Sequence, residues 1–275
     1  MANVTVPKRL VLSPQSQGLG ALRELIQYRY LWFELTLSEL RTRYKGSVLG
    51  FLWAFANPLL TLIVYSIVFS NVMRIRIPHY SAFLLIGILS WNMFASAVQA
   101  SAGVVVRQAG LVKKIYFPRQ VLPLAVVGGS VMNYLFSCVI LLPFLVAEGY
   151  YPTISWLWLI PLTLCEAVMA AGFALLVSAA NVYLRDVEHV LSIVLMLWFY
   201  ITPIVYTPSM IPGRLSEFFK LNPLSGCILG FQSVLYYHSP LHWKLELYSM
   251  SFAVVVFVIG WFVFSWLSKR FAEEI

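Results

Sequence analysis

Few side chains within the apolar stretches of this sequence are able to do chemistry. Glu166 is the only acid well inside such a stretch, and small residues follow it at Ala170, Ala171 and Gly172. An acid within a membrane span is a candidate functional residue by default. The small residues equally favour a tight helix contact in which a neighbour hydrogen-bonds the carboxyl group. A single acid is a thin basis for proton or sodium coupling, so we expect any transport energy to come from elsewhere.

Several motifs that carry enzyme or nucleotide chemistry are missing. Residues 46–50 are glycine-bounded but lack the lysine that a phosphate-binding loop requires, and no Gly-x-Ser-x-Gly motif of a serine nucleophile occurs. His238 and His242 are four residues apart, but Pro240 argues against the helical turn that would direct both at one metal. The three cysteines have no metal-binding or redox spacing. We therefore expect neither a metal site nor nucleotide hydrolysis on this chain.

Two charged linkers between apolar stretches contain residues suited to contact with another protein. Residues 107–119 mix aromatic residues with a cluster of positive charge, and residues 181–189 contain three charges and a histidine. Ordinary loops that hold basic residues at a membrane surface have the same pattern. The candidate contact residues are Arg107, Lys113, Lys114, Tyr116, Phe117, Arg119, Arg185, Asp186 and Glu188.

The elements that position these residues are predicted to be membrane-spanning helices. Hydrophobic residues make up 60% of the 275 residues and charged residues 11%, with a mean hydropathy of +0.81. So little charge does not cover a globular surface in water, which excludes a cytosolic enzyme, a secreted disulfide-rich domain and a disordered chain. Six apolar segments are predicted to cross a bilayer. They are residues 48–72, 81–106, 121–147, 156–182, the shorter 190–206, and 247–267.

A long insertion with four prolines, residues 207–246, separates the fifth and sixth segments. Its apolar part, residues 224–237, is too short to cross, which predicts a re-entrant or interfacial hairpin. Six spans put both termini on one side, and fourteen of the nineteen Lys and Arg residues then fall on that side. The positive-inside rule predicts that this side is the cytoplasm.

The regions that flank the spans are predicted from their composition. Residues 1–21 contain prolines and glycines without an apolar core, which predicts a flexible cytoplasmic tail and not a cleaved signal peptide. Residues 22–47 predict an amphipathic helix that lies in the membrane interface, with packing on a soluble partner as the alternative. Its apolar stripe consists of Ile26, Phe33, Leu37, Leu40 and Tyr44. Residues 48–267 form the transmembrane domain, and residues 268–275 form a cytoplasmic C-terminus.

Five short motifs follow one another between Arg41 and the end of the sixth segment. The first is the run Arg43-Tyr44-Lys45-Gly46-Ser47-Val48-Leu49-Gly50-Phe51-Leu52-Trp53, which ends close to Asn57-Pro58. The others are Lys-Ile-Tyr-Phe-Pro-Arg at 114–119, residues 181–186, Thr-Pro-Ile-Val-Tyr at 202–206 and Leu-Asn-Pro-Leu at 221–224. In this order they resemble the landmarks of the type-2 ABC exporter permeases. Those proteins are the membrane subunits that export O-antigen, capsule and teichoic acid polymers.

The resemblance implies a permease that acts as a homodimer with two copies of a separate ATPase subunit. ATP and Mg²⁺ would belong to that ATPase, and no cofactor is expected on this chain. The two linkers would be coupling helices, residues 22–47 the interface helix, and residues 207–246 a pair of gate helices. The implied cargo is a lipid-linked polymer, teichoic acid or O-antigen or capsular polysaccharide, that crosses the cell membrane outward. No nucleic-acid partner is expected.

Aromatic residues on two predicted helix faces fit such a conduit. Aromatic faces contact sugar rings through C–H groups without holding any unit tightly, as a moving polymer requires. Ordinary packing and interfacial aromatic belts are the alternatives. The conduit candidates are Phe51, Phe55, Tyr65 and Phe69 on the first span and Trp198 and Tyr206 on the fifth, and Asn57 is a second intramembrane polar residue.

Two other functions remain open at this point. A type-2 permease for a small drug or a lipid would share the fold, but such pumps commonly have larger external insertions or a fused ATPase. An integral-membrane lipid-linked transferase would need a cluster of acids or histidines that faces water. The sequence contains no such cluster around Glu166.

Overall fold

The protein is described by a computed structural model that covers residues 24–47, 49–68, 78–210, 219 and 221–275. Every regular element in these ranges is helical, so the predicted all-helical class is confirmed. Within these ranges, four helices are long and apolar enough to cross a membrane. The predicted tail at residues 1–21 lies outside the described residues.

The α-helices of the described ranges are numbered here in chain order. They are α1 (Arg29–Tyr44), α2 (Trp53–Ile67), α3 (Tyr80–Ala102), α4 (Val104–Arg107), α5 (Ala109–Lys114), α6 (Val121–Ala147), α7 (Leu159–Tyr183), α8 (Val187–Ile201), α9 (Pro223–Gln232), α10 (Trp243–Leu267) and α11 (Phe271–Glu274). A 3₁₀ turn, Ile154–Trp158, leads into α7, and a π-helical turn, Ser233–Tyr237, extends α9.

The four long helices correspond to the second, third, fourth and sixth predicted segments. The third segment coincides with α6, and the second ends four residues early because the helix breaks at Gly103. The fifth segment is shortened to the 15 residues of α8, since Thr202 is extended and Pro203 cannot continue the hydrogen-bond ladder. The first segment contains α2, also 15 residues long. A total of six crossings therefore stays a prediction.

The centre of the molecule is built on close backbone contact between α7 and α10. A Cβ atom at Gly260 would lie 2.4 Å from the carbonyl oxygen of Gly172, so neither glycine has room for a side chain. The small residue that follows Glu166 in the sequence therefore forms a tight helix contact, as one of the two interpretations predicted. Small residues at such crossings let membrane helices approach closely enough for extensive van der Waals contact.

The apolar part of the insertion forms α9, which packs into this centre. A Cβ at Gly226 would lie 2.7 Å from the carbonyl oxygen of Leu245 in α10, and one at Gly230 would lie 2.8 Å from Leu162 in α7. Asn222 caps the start of α9 by accepting a hydrogen bond from the backbone N–H of Leu224 at 3.1 Å. The other limb of the predicted hairpin, residues 211–218, lies outside the described residues.

Helix α1 lies against α6, where two adjacent glycines make room for it. A Cβ at Gly128 would lie 3.0 Å from the Thr36 hydroxyl oxygen, and Leu40 of α1 is buried nearby. Ile26 and Phe33, which share the predicted apolar stripe with Leu40, point away and are 65% and 49% exposed. The stripe is thus divided between two faces, because the glycines receive the Thr36 face of the helix.

Candidate functional site

A groove of about 670 Å³ runs between α2, α3 and α8. Helix α2 forms one wall, and α3 and α8 together form the other. The lining residues are Asn57, Leu60, Thr61, Val64, Ile88, Trp91, Asn92, Ser192, Leu195, Met196, Phe199 and Tyr200. The lining combines aromatic rings and aliphatic side chains with two amides, two aliphatic hydroxyls and the phenol hydroxyl of Tyr200.

The polar groups of the groove lie within otherwise apolar helices. Asn57 and Asn92 are exposed, on opposite walls. The two aliphatic hydroxyls are turned back to their own helices, because Thr61 donates to the carbonyl of Asn57 at 2.7 Å and Ser192 donates to the carbonyl of His189 at 2.7 Å. The groove therefore offers amide groups and aromatic faces and, among its lining residues, no charged side chain.

The structure separates the predicted conduit aromatics from this groove where it describes them. Phe55 packs against Phe136 of α6, with ring centroids 5.8 Å apart. Trp198 faces the centre, where its indole N–H donates to the side-chain oxygen of Asn222 at 2.9 Å. Tyr206 lies beyond the end of α8 and donates to the carbonyl of Tyr200 at 2.8 Å. None of these three side chains lines the groove.

The remaining conduit candidates are not described at the side-chain level. Phe69 and the side chains of Phe51 and Tyr65 lie outside the described part of the chain. Sequence reasoning missed Trp91 and Asn92 of α3 altogether. Isolated amides at positions 57 and 92, inside apolar stretches, are the sequence signal that could have located the groove.

Glu166 is fully buried between α7 and α3. The hydroxyl of Ser90 in α3 donates to both carboxyl oxygens, at 3.1 and 2.9 Å. Glu166 does not line the groove. This arrangement confirms the interpretation in which Glu166 hydrogen-bonds a neighbour at a tight helix contact.

A second buried acid was missed by the sequence analysis. Glu246, placed in the insertion by the pattern, lies in the first turn of α10 and is 7% exposed. Helix α10 begins at Trp243, four residues before the predicted start of the sixth span. Neither carboxyl oxygen of Glu246 has a hydrogen-bond partner in the described structure. A cavity of about 30 Å³ beside it, also lined by Cys165 and Cys227, has room for a single water molecule.

The first linker divides into a buried part and an exposed part. Lys113, Lys114 and Ile115 are exposed at the end of α5 and just after it. Phe117 is 3% exposed in a hydrophobic cluster with Phe264, so its predicted role as a surface contact is wrong. Phe117 is buried because the linker turns toward α6 at the neighbouring Pro118, which directs the ring into the helix bundle.

Tyr116 and Arg119 flank this buried ring. Tyr116 is half-buried. Burial lowers the pKa of Arg119 from its ordinary value, and its guanidinium donates a hydrogen bond to the backbone carbonyl of Ser268. Arg119 therefore ties the start of α6 to the end of α10.

The second linker is a tight turn in which Arg185 and Asp186 are exposed. Glu188 follows in the first turn of α8, and its carboxyl oxygen lies 3.6 Å from a guanidinium nitrogen of Arg107. The structure thus brings the two predicted linkers together at one end of the bundle. No group of three or more potential metal ligands occurs among the described residues.

At the opposite end of the bundle, α9 is held to the loops that precede α3 and α7. The hydroxyl of Tyr236 donates to the carbonyl of Pro78, and the rings of Tyr236 and Tyr150 stack at 5.3 Å. The side chains of His79 and Glu148 are hydrogen-bonded in the same region. The two ends of the molecule therefore differ: the basic linkers lie at one, and an aromatic cluster closes the other.

Comparison with known proteins decides the family. Residues 30–236 match the family model described as ABC-2 type transporter. The chain belongs to this family. This membership confirms the resemblance seen in the sequence motifs, and with several apolar helices it makes the chain a multi-pass protein of the cell inner membrane.

Individual relatives extend the similarity over almost the whole chain. An O-antigen export system permease protein RfbA of Klebsiella pneumoniae is 36% identical over 240 residues, or 87% of this chain and 92% of the relative. An RfbA of Myxococcus xanthus is 34% identical over 264 residues, or 92% and 98% of the two chains. The polysialic acid transport protein KpsM of Escherichia coli is 25% identical over 195 residues, or 69% and 75%.

Proposed function

We propose that this chain is the permease subunit of an ATP-driven exporter that moves a lipid-linked cell-surface polysaccharide out of the cytoplasm. The observation that carries the proposal is the end-to-end similarity to two O-antigen export permeases. The match to the Myxococcus relative covers 92% and 98% of the two chains. The aligned region therefore has little room for the larger external insertions of drug pumps. An O-antigen is therefore favoured over teichoic acid as the cargo.

The energy source in this proposal is a separate ATPase subunit that binds ATP and Mg²⁺. The absence of a phosphate-binding loop from the sequence supports this division of labour. The exposed residues of the two linkers, Lys113, Lys114, Arg185 and Asp186, would contact that subunit, with Tyr116 beside them. Two ATPase copies and two permease copies would form the working complex.

The groove between α2, α3 and α8 is the proposed path for the polymer. Its aromatic rings and amides suit sugar units, which combine C–H faces with hydroxyl groups, and its lack of charge suits a neutral chain. Apolar side chains on α2 and α8, such as Leu59, Ile63 and Leu197, are exposed beside the groove. A second copy of the chain would cover them and close the conduit.

The positive-inside rule predicts the side of the membrane on which the linkers, the termini and α9 lie. The basic linkers and both termini would face the cytoplasm, and α9 would be one limb of a re-entrant gate at the outer side. Helix α9 and its π-helical turn together span 15 residues, or about 22 Å, which is too short to cross the bilayer core. Helix α1 would lie in the cytoplasmic interface beside the ATPase.

Deletion of the gene in its native host tests the proposal. We expect surface polysaccharide to disappear and its lipid-linked precursor to accumulate inside, with both effects reversed by the wild-type gene. The chemistry of the accumulated polymer separates a sugar chain from a polyol-phosphate chain. An unchanged cell surface would contradict polymer export, and a changed phospholipid or drug-resistance profile alone would favour the small-molecule permease.

The purified chain provides a second test. We expect no ATP hydrolysis from the permease alone and hydrolysis from its complex with the ATPase subunit. A complex with an ATPase variant that lacks the phosphate-binding lysine is the control. Hydrolysis by the lone permease would contradict the two-subunit proposal.

A further inference from the structure

The two linkers are joined by an ion pair that no sequence motif predicts. Helix α3 ends at Ala102, and α4 turns Arg107 back so that its guanidinium donates to the carbonyl of Ala100 at 2.6 Å. Another nitrogen of the same guanidinium lies 3.6 Å from a carboxyl oxygen of Glu188 in α8. We call this contact the inter-linker ion pair.

Glu188 is held in place by its backbone as well as by Arg107. Its N–H donates to the side-chain oxygen of Asn181 in α7 at 3.2 Å. Its carbonyl accepts a hydrogen bond from the side-chain amide of Gln99 in α3 at 3.1 Å. Helices α3, α7 and α8 therefore meet at this one residue.

Gly103 supplies the space for the inter-linker ion pair. A Cβ atom there would lie 2.4 Å from a guanidinium nitrogen of Arg107 and 2.8 Å from a carboxyl oxygen of Glu188. The backbone of Gly103 has φ −87°, a conformation that any residue adopts. A side chain at this position would displace the flexible ends of Arg107 and Glu188, so the glycine leaves room for the ion pair and is not needed for backbone freedom.

The helices that the pair joins also form one wall of the groove. Trp91 of α3 contacts Phe199 of α8 with ring centroids 5.7 Å apart, and Phe94 contacts Trp198 at 5.4 Å. The contacts between α3 and α8 thus run from the groove to the linkers. Helix α2, the other wall, follows a different linker in the chain.

We infer that Arg107 and Glu188 are positioning residues that make α3 and α8 move as one body when the ATPase subunit displaces either linker. This inference rests on the proposed function, because it assigns the displacement to an ATPase. With the pair intact, a push on one linker would move the whole wall relative to α2. Without it, only the Gln99 hydrogen bond and the aromatic contacts would join α3 to α8, and the groove would change shape less per ATP hydrolysed.

Charge reversal and charge exchange at the pair test the inference in the full exporter. The side chains of Arg107 and Glu188 are 53% and 43% exposed, so their pair adds little to folding stability. We expect Arg107→Glu and Glu188→Arg each to lower polymer export per ATP hydrolysed by about two- to fivefold, at unchanged protein level. The double variant with exchanged charges should regain at least half of the loss. Lys269→Glu, an equal charge change at an exposed residue of the same end, is the control.

Two further variants test whether the physical connection between the two linkers matters independently of the charges of Arg107 and Glu188. Gly103→Ala displaces both side chains without removing a charge, and we expect a loss similar to that of the charge reversals. Arg107→Cys with Glu188→Cys should lose export and regain it when a short bifunctional thiol reagent joins the two cysteines. The reagent-treated wild-type chain is the control for the native cysteines.

Three results would overturn the inference: full coupling in Arg107→Glu, an exchanged double variant no better than the single variants, or no recovery of export when the two cysteines are joined. The last would mean that joining the linkers does not promote export. Failure of the proposed function looks different. In that case deletion of the gene leaves the surface polymer unchanged. The distance between spin labels on α2 and α8 of the ATPase complex would still respond to ATP in the wild type, and would respond less in the variants.

Discussion

The packed centre, formed by α7, α9, α10 and the buried face of α3, and the outer groove helices α2 and α8 have similar apolar compositions but different modes of packing. In the centre, glycines bring backbones together, and Glu166 and Asn222 are satisfied by hydrogen bonds. Helix α8 instead leaves most of its side chains uncovered, with Met196 56% and Tyr200 64% exposed. The difference shows that small and polar residues, and not hydrophobicity, distinguish the helices that pack tightly within one chain from the helices that leave side chains exposed. Substitutions in the centre should therefore damage folding, whereas substitutions in the groove should damage transport.

The largest effect is expected at the crossing of α7 and α10. Gly260→Val places a branched side chain against the backbone of Gly172, and we expect a loss of roughly 3 kcal/mol or more in the free energy of unfolding, because neither backbone can move away. The measurement is the amount and melting temperature of the protein in detergent. Gly110→Ala, where the new Cβ meets open space, is the control. Equal stability of the two variants would contradict the conclusion that close backbone contact stabilises the packed centre.

Glu166 is expected to show the next largest effect. Glu166→Ala removes the acceptor of the Ser90 hydroxyl and leaves a cavity, which should cost about 2–3 kcal/mol of unfolding free energy. Glu166→Gln keeps an oxygen acceptor of the same shape and should retain both stability and export. A stable Glu166→Gln protein that does not export would instead give this acid a role in transport.

Asn222 connects the centre to α8, and its loss should have an intermediate effect. Asn222→Ala removes the cap of α9 and the acceptor for Trp198, which should cost about 2 kcal/mol. Trp198→Phe keeps an aromatic ring but loses the indole N–H, and about 1 kcal/mol is expected. Melting temperatures of the two single variants and the double variant provide the measurement. Strictly additive losses would show that the two side chains do not interact.

Groove substitutions should alter stability least and transport most selectively. We expect Asn57→Leu together with Tyr200→Ala to lower export about tenfold, because an amide and an aromatic face are lost from opposite walls, and to change stability by under about 1 kcal/mol. Val254→Ala, an exposed position on α10, is the control. Normal export by the double variant would remove the groove from the proposed path.

The sequence predicted the long helices well because their ends are chemically marked. Helix α6 matches its predicted range because Pro118 and Arg119 precede it and Glu148-Gly149 follow it. The start of α10 was misjudged because Lys244 and Glu246 were assigned to the insertion, although they occupy its first turn. Charged residues in the first turn of a spanning helix look the same in sequence as charged residues in a loop.

The site was predicted less well, for a reason that Trp198 illustrates. Helical spacing correctly places Trp198 and Thr202 on one face of the fifth segment, but it does not say what lies opposite that face. The structure turns this face to Asn222 in the centre, since Thr202 also accepts a hydrogen bond from the Asn222 side-chain amide at 2.9 Å. The inter-linker ion pair was likewise beyond the sequence, because its two partners are 81 residues apart in the chain.

The packing of α1 against Gly128 and Gly129 of α6 makes the position of α1 sensitive to bilayer thickness. Helix α6 has 27 residues and is about 40 Å long, against a hydrocarbon thickness of about 30 Å. Because α1 is docked at Gly128 and Gly129, about one-quarter of the way along α6, its depth is set by the tilt of that helix. A thinner bilayer would tilt α6 and draw Tyr30 and Phe33 toward the acyl chains. Lipid chain length should thus set how deeply α1 inserts into the adjacent membrane leaflet.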